Sequence, residues 1–182
     1  MKRCVDIVFS GLAILIFLLP CMILSFLLVV IDGFPLLFVQ ARVGKNKSIY
    51  KIIKFRTMQD QYVTRTGRWL RSSGLDELPQ FINVLKGEMS IVGPRALTPA
   101  DIQRLGWDDP FHSGRWQVKP GITGMAQLYG GQHRKLSWFW DCWYLKHQYV
   151  IVDIIIIACS FLMNVFGKRR VRRWLFQKNN LK

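Results

Sequence analysis

From Ile7 to Ile31 the chain runs for 25 residues without a charged side chain. As a helix this stretch would be roughly 37 Å long, enough to cross a bilayer. A cleaved leader fits poorly, because the run is too long and no small-residue cleavage site precedes Asp32. A single transmembrane anchor is the plainest reading, and two features oppose it. Pro20 sits near the middle, where it removes a backbone hydrogen bond and clashes with the preceding turn. Both flanks are basic, with Lys2 and Arg3 before the run and Arg42, Lys45, Lys47, Lys51 and Lys54 after it. Lys and Arg are retained on the cytoplasmic side, so a span would have to export one of these clusters. A helix that enters, breaks at Pro20 and returns keeps both. Proline-kinked spans are common, so the residues alone leave the two readings balanced.

The 182 residues hold 26 Lys and Arg against 11 Asp and Glu, a net charge of +15, and 51% are hydrophobic. That length suits one domain with a membrane element. Such charge beside such hydrophobicity narrows the partners to nucleic acid, anionic lipid or phosphorylated small molecules. Cys4, Cys21, Cys142 and Cys159 form no CxxC pair and the three histidines no HExxH. Zinc, a disulfide framework and thioredoxin-like chemistry are therefore not expected, and a reducing, cytosol-facing setting is.

A second apolar run, Val150 to Phe166, carries Asp153 and Asn164 and at 17 residues is marginal for spanning. It reads as a buried or interfacial helix. The tract Lys168 to Trp174 follows, with five positive charges in seven residues, and reads as a clamp on anionic headgroups. Leu36–Gln40 and Ile49–Phe55 flank a turn containing Gly44 and Asn46, which predicts a β-hairpin. Arg65, Arg68 and Arg71 recur at helical spacing. Glu77–Leu85 is expected to be a helix closed by Gly87, and Thr98-Pro99 starts another that ends near Gly106. Lys119 to Gly124 reads as a tight loop, and Leu136–Gln148 as an aromatic helix.

Residues 42–71 hold nine positive charges and one acid, Asp60. Lys54, Arg56 and Arg71 belong to this field, which needs a diphosphate, a polyanion or a lipid headgroup. Asp76 and Glu77 come directly after it. The bland role of Asp76 is to cap the helix that follows. The sharper one is a nucleophile, kept ionised by a depressed pKa among the arginines at a helix N-terminus. Glu77 would offer Mg²⁺ a hard oxygen ligand, with substrate phosphates completing the shell. Taken alone, the pair favours the cap. Gly93 and Pro94 should hold Arg95 rigidly, as suits a phosphate contact, against a plain surface arginine. Asp141 and Asp153 stand in apolar surroundings, where each needs a buried arginine, a metal or a backbone terminus, so they are read as supporting carboxylates.

Four ordered motifs resemble one family. They are Lys54-Phe55-Arg56-Thr57-Met58, Leu75-Asp76-Glu77-Leu78-Pro79-Gln80 continuing through Gly87, Met89 to Arg95, and Lys119-Pro120-Gly121-Ile122-Thr123-Gly124. Together they resemble the bacterial sugar transferases, the monotopic polyprenyl-phosphate phosphoglycosyl transferases, in a small catalytic-core form. The resemblance runs from Lys2 to about Phe166. It implies an enzyme at the cytoplasmic face of the bacterial inner membrane that moves a sugar-1-phosphate from a UDP-sugar to undecaprenyl phosphate. It implies Asp76 as nucleophile, Glu77 at Mg²⁺, Arg95 at a substrate phosphate, and a re-entrant helix broken at Pro20. Two departures stand out: Leu19 where many relatives have serine before the proline, and Ala96 where they have a second proline.

The expected fold is α+β and mainly helical, with a re-entrant helix in residues 1–35 and a catalytic domain in 36–182 that carries a small hairpin and interfacial amphipathic helices. Expected partners are UDP-sugar, undecaprenyl phosphate, anionic lipid and a second copy in a homodimer, with no nucleic acid. The contrasting reading is a non-catalytic membrane-bound scaffold or nucleic-acid tether. It explains the charge but leaves Leu75–Gln80 and the Lys119–Gly124 loop without purpose.

Overall fold

The computed structural model describes residues 2–129, 134–167 and 170–171. Most of the basic tract 168–174 thus lies outside the described residues. The chain is mostly helical, with short strands. Helix α1 (Lys2–Asp32) carries the apolar run. Strands β1 (Leu37–Val43) and β2 (Ile49–Phe55) form the expected hairpin, from Leu37 opposite Phe55 to Val43 opposite Ile49. Its turn places Asn46 and Lys47 at positive φ, where Asn is among the few tolerant residues. A second, two-residue hairpin joins β3 (Met58–Gln59) to β4 (Tyr62–Val63) through Asp60 and Gln61, both also at positive φ.

Helix α2 (Arg65–Ser73) starts at Thr64, whose hydroxyl accepts from the Gly67 N–H, and stops at Gly74 with φ 74°. A 3₁₀ turn follows at Leu75–Glu77, and helix α3 begins only at Gln80 and ends at Lys86. The helix expected from Glu77 is therefore shorter at its start. The interruption is local, because the 3₁₀ turn closes and Pro79 supplies no N–H to an α-helical ladder.

Strand β5 (Ser90–Val92) pairs in parallel with β6 (Gly121–Thr123), so the loop expected at Lys119–Gly124 is partly strand. Between them come α4 (Pro99–Leu105), started by a reciprocal Thr98–Asp101 capping box and ended at Gly106, and a 3₁₀ stretch at Pro110–Gln117. Helices α5 (Met125–Leu128), α6 (Arg134–Lys146) and α7 (Val150–Phe166) complete the chain as described.

The main core gathers Tyr50, Ile52, Val84, Met89, Val92, Tyr144 and Ile156. A second cluster holds Val43, Leu97, Ile102, Trp107 and Trp116, and a third joins Leu28 of α1 to Phe55 and Leu70. Three helices are inverted relative to a water-facing helix. On α1, Asp6 and Ser10 are buried while Leu12, Leu15, Ile16 and Phe26 are exposed. On α6, Ser137, Asp141 and Tyr144 point inward while Leu136 and Phe139 are exposed. On α7, Asp153 is buried while Ile151, Ile154, Phe161 and Val165 are exposed. Exposed apolar surface on this scale marks contact with something other than water.

The helical run of α1 continues through Pro20, so the proline leaves no gap in the helix. Both ends of α1 hold the rest of the chain. Lys2 Nζ is 2.5 Å from Asp153 Oδ2, and the Arg3 guanidinium donates to the carbonyls of Val84 and Leu85. Asp6 Oδ1 accepts from Ser90 Oγ and the Ile91 N–H. At the far end Leu28 is buried, and the Asp32 carboxylate accepts from Thr64 and Thr66. Residues 15–20 between them are exposed throughout.

Candidate active site

The Leu75–Glu77 turn carries the carboxylate pair to the end of β2. Lys54 Nζ lies 2.8 Å from Glu77 Oε1, and Arg71 Nε donates to Thr57 Oγ1 at 2.9 Å. Asp76 sits in the turn itself and does not cap α3, whose N-cap position belongs to Pro79. Its pKa is raised above the usual carboxylate value, not depressed. Burial is the main cause and the Glu77 charge adds to it, while Lys54 and Arg71 pull the other way. The cations are legible in the sequence, whereas the burial that outweighs them comes from the fold. A carboxyl of raised pKa is also a better nucleophile once ionised, since its anion is less well stabilised.

Asn83 locks this unit together. It is fully buried, accepts from the Ile53 N–H at 3.1 Å and donates to the Lys51 carbonyl at 2.8 Å. Thus α3 is stitched to β2, and the Asp76 turn keeps its place beside Lys54. Arg56 has a structural task instead of an open one: it donates to the Asp32 and Gly33 carbonyls at the end of α1.

Among the described residues no three His, Cys, Asp or Glu side chains converge. Two adjacent carboxylates that repel each other are the donor set available at this turn. That set fits Mg²⁺, which takes one or two carboxylates and fills its shell with water and substrate phosphates.

Arg95 comes from a different segment, the one that follows β5. From Met89 to Leu97 it is the one exposed residue. Among the described residues no hydrogen bond or ion pair joins it to Asp76 or Glu77. Its segment packs on the Lys119–Gly124 segment so closely that only glycine fits. A Cβ on Gly121 would meet the Gly93 nitrogen at 2.1 Å, and one on Gly93 would meet the Lys119 carbonyl oxygen at 2.4 Å. The two motifs therefore form one unit, with the Gly121 N–H donating to the Pro94 carbonyl at 2.9 Å.

Asp141 meets Arg115, Nε to Oδ2 at 2.8 Å, with both side chains 2% exposed. Asp153 meets Lys2 and also the Tyr144 hydroxyl at 2.7 Å. Arg115, Tyr144 and Asn83 escaped the sequence reading. The unpaired look of Asp141 called for a cation, but nothing in the spacing chose Arg115 over other arginines.

The inverted helices fit a membrane-associating protein, and among the described residues one helix is long and apolar enough to cross a bilayer. Comparison supplies the rest: residues 1–167 match the model of the bacterial sugar transferases, and the chain belongs to that family. It is 34% identical over 190 residues to the UDP-N-acetylgalactosamine-undecaprenyl-phosphate N-acetylgalactosaminephosphotransferase of Aeromonas hydrophila, covering 92% of this chain and 45% of that one. It is 38% identical over 144 residues to the UDP-glucose:undecaprenyl-phosphate glucose-1-phosphate transferase of Caulobacter vibrioides, covering 71% and 54%. An uncharacterised sugar transferase of Bacillus subtilis is 36% identical, with 80% of both chains covered. The chain spans less than half the length of several of the relatives it matches.

Proposed function

We propose that the protein is a phosphoglycosyl transferase that moves a sugar-1-phosphate from a UDP-sugar to undecaprenyl phosphate and releases UMP. The observation that carries this reading is the Asp76–Glu77 turn, half-buried and flanked by Lys54 and Arg71, in a chain of this family. An ionised Asp76 oxygen attacks the β-phosphorus of the donor, and the bond to the UMP leaving group breaks. The lipid phosphate then attacks the same phosphorus and frees Asp76, giving a polyprenyl diphosphate-sugar. A covalent route lets the nucleotide-sugar and the lipid use the site in turn.

Lys54 and Arg71 supply the positive field at the reacting phosphate, and Arg95 offers an exposed guanidinium to a substrate phosphate. Glu77, with Asp76 beside it, would hold Mg²⁺, which offsets phosphate charge when bound. Arg56 fixes the end of α1.

In the same reading α1 (residues 1–35 with its exit) is re-entrant, and residues 36–182 sit on the cytoplasmic face of the bacterial inner membrane. Support comes from both ends of α1 holding one polar domain, which a span would separate across the bilayer. The outward apolar faces of α6 and α7 suit the interface. The reaction is then a first membrane step of polysaccharide or glycoconjugate synthesis. UMP release from UDP-glucose, UDP-galactose and UDP-N-acetylgalactosamine, with undecaprenyl phosphate and Mg²⁺, tests the reading. A scaffold or tether would release none, with or without metal.

A further inference from the structure

Four successive carbonyls run through the Arg95 segment, and each is held by a different donor. The Gly121 N–H takes that of Pro94 and the Val43 N–H takes that of Leu97, both at 2.9 Å. These are the contacts of a strand lying between two neighbours. The two carbonyls in the middle are held by side chains. Arg115 Nη2 donates to the Arg95 carbonyl at 2.5 Å, and Arg42 Nη1 donates to the Ala96 carbonyl at 3.0 Å.

Each guanidinium is itself braced. Arg115 is paired with Asp141 and lies over the rings of Trp107 and Trp116, at 5.3 and 5.2 Å. Arg42 donates to Gln40 Oε1 at 2.6 Å and stands 3.8 Å from Asp101 Oδ2, which also accepts from the Thr98 N–H and hydroxyl at the start of α4. A buried ion pair is a poor source of stability, since well-packed apolar residues of similar volume often do as well or better. The pair of Arg115 with Asp141 therefore calls for another task, and the Arg95 carbonyl supplies it. The position after Arg95 is also an alanine, which has no ring to stiffen the turn.

We propose that Arg42 and Arg115 are positioning residues that clamp the Arg95 backbone from two sides and aim its exposed guanidinium at a substrate phosphate. This rests on the phosphate-binding reading of Arg95 above. With the carbonyls of 94–97 all engaged, the side chain of Arg95 starts from a backbone that cannot swing, so little ordering is left to be done on binding.

The test uses the full chain in nanodiscs and the affinity for UDP, the part common to all such donors. Arg95→Ala should weaken UDP by about tenfold or more, the usual scale for one charge-assisted contact. Arg115→Met alone strands a buried carboxylate, so the paired change Arg115→Met with Asp141→Leu is used, and Arg42→Met independently. Each should also weaken UDP about tenfold, and neither should weaken it further once Arg95 is alanine. Thermal melts verify folding, and Arg42→Met carries the test if the paired variant does not fold. If Arg95→Ala weakens UDP while folded clamp variants bind it normally, or lose the same factor in both backgrounds, the clamp is overturned and the role of Arg95 stands. If Arg95→Ala binds UDP as the parent does, the phosphate reading falls and the clamp with it.

Discussion

Lys54 Nζ sits 2.8 Å from Glu77 Oε1, tying the end of β2 to the turn that carries Asp76. The ammonium does two things there: it holds Glu77, and its field lowers a pKa that burial and Glu77 raise. Removing the cation should therefore push the Asp76 carboxyl further up. Lys54→Met is predicted to move the acid limb of the kcat/KM profile to higher pH, and Arg71→Met to do the same. An acid limb unmoved in both variants would mean that Asp76 does not feel them.

A raised pKa also has a sign for stability. Below the unfolded-state pKa both states are protonated and Asp76 contributes nothing. As the pH rises past it, the unfolded chain ionises first and the fold loses stability until the folded pKa is passed. At neutral pH the ionised Asp76 is thus a net burden on the fold. Asp76→Asn should raise the Tm, or leave it unchanged, near pH 7 and lose this difference near pH 3, while turnover falls by about 10⁴-fold or more. A clear drop in Tm at neutral pH would show that the carboxylate holds the turn together.

Asn83 offers a test of the scaffold. Asn83→Leu keeps the branched shape but leaves the Ile53 N–H and the Lys51 carbonyl without their side-chain partner. The expected loss is about 1–3 kcal/mol by denaturant unfolding, for two partly buried backbone groups stripped of a partner. A loss below about 1 kcal/mol would mean that water replaces the amide.

Local patterns read well from the residues. The β1–β2 hairpin and the Thr98-capped α4 follow from turn chemistry and capping, and the aromatic helix expected at Leu136–Gln148 is α6, displaced two residues towards the N-terminus at both ends. The start of α3 did not, because Asp76 suits both a cap and a 3₁₀ turn, and only tertiary packing against β2 decides. The pKa of Asp76 went the wrong way for a related reason. Charges can be counted along a chain, but burial depends on α2 and β2 packing against the turn, where Leu75 and Leu78 meet Phe55 and Leu70. The charge of Arg56 suits a phosphate, and the fold sets its Nη2 against the last carbonyls of α1, a contact that no local spacing reveals. Pairings across more than twenty residues, such as Arg115 with Asp141, left no mark in the spacing.

Topology can be settled with the native Cys4, which is exposed near the start of α1. In a variant without Cys21, Cys142 and Cys159, Cys4 should label like an Asp60→Cys probe. Both should resist an impermeant reagent in intact cells and react in inverted vesicles. Labelling of Cys4 from outside would establish a true span.

The central claim is that Asp76 carries the phosphosugar. Enzyme mixed with UDP-sugar and Mg²⁺, with no lipid acceptor, should release close to one UMP per active site and then stop. Peptide mass spectrometry of the quenched protein should find a sugar-phosphate adduct on the peptide containing Asp76, absent from Asp76→Asn and lost on adding undecaprenyl phosphate. UMP release that requires the acceptor, with no adduct at any time, would contradict the covalent mechanism.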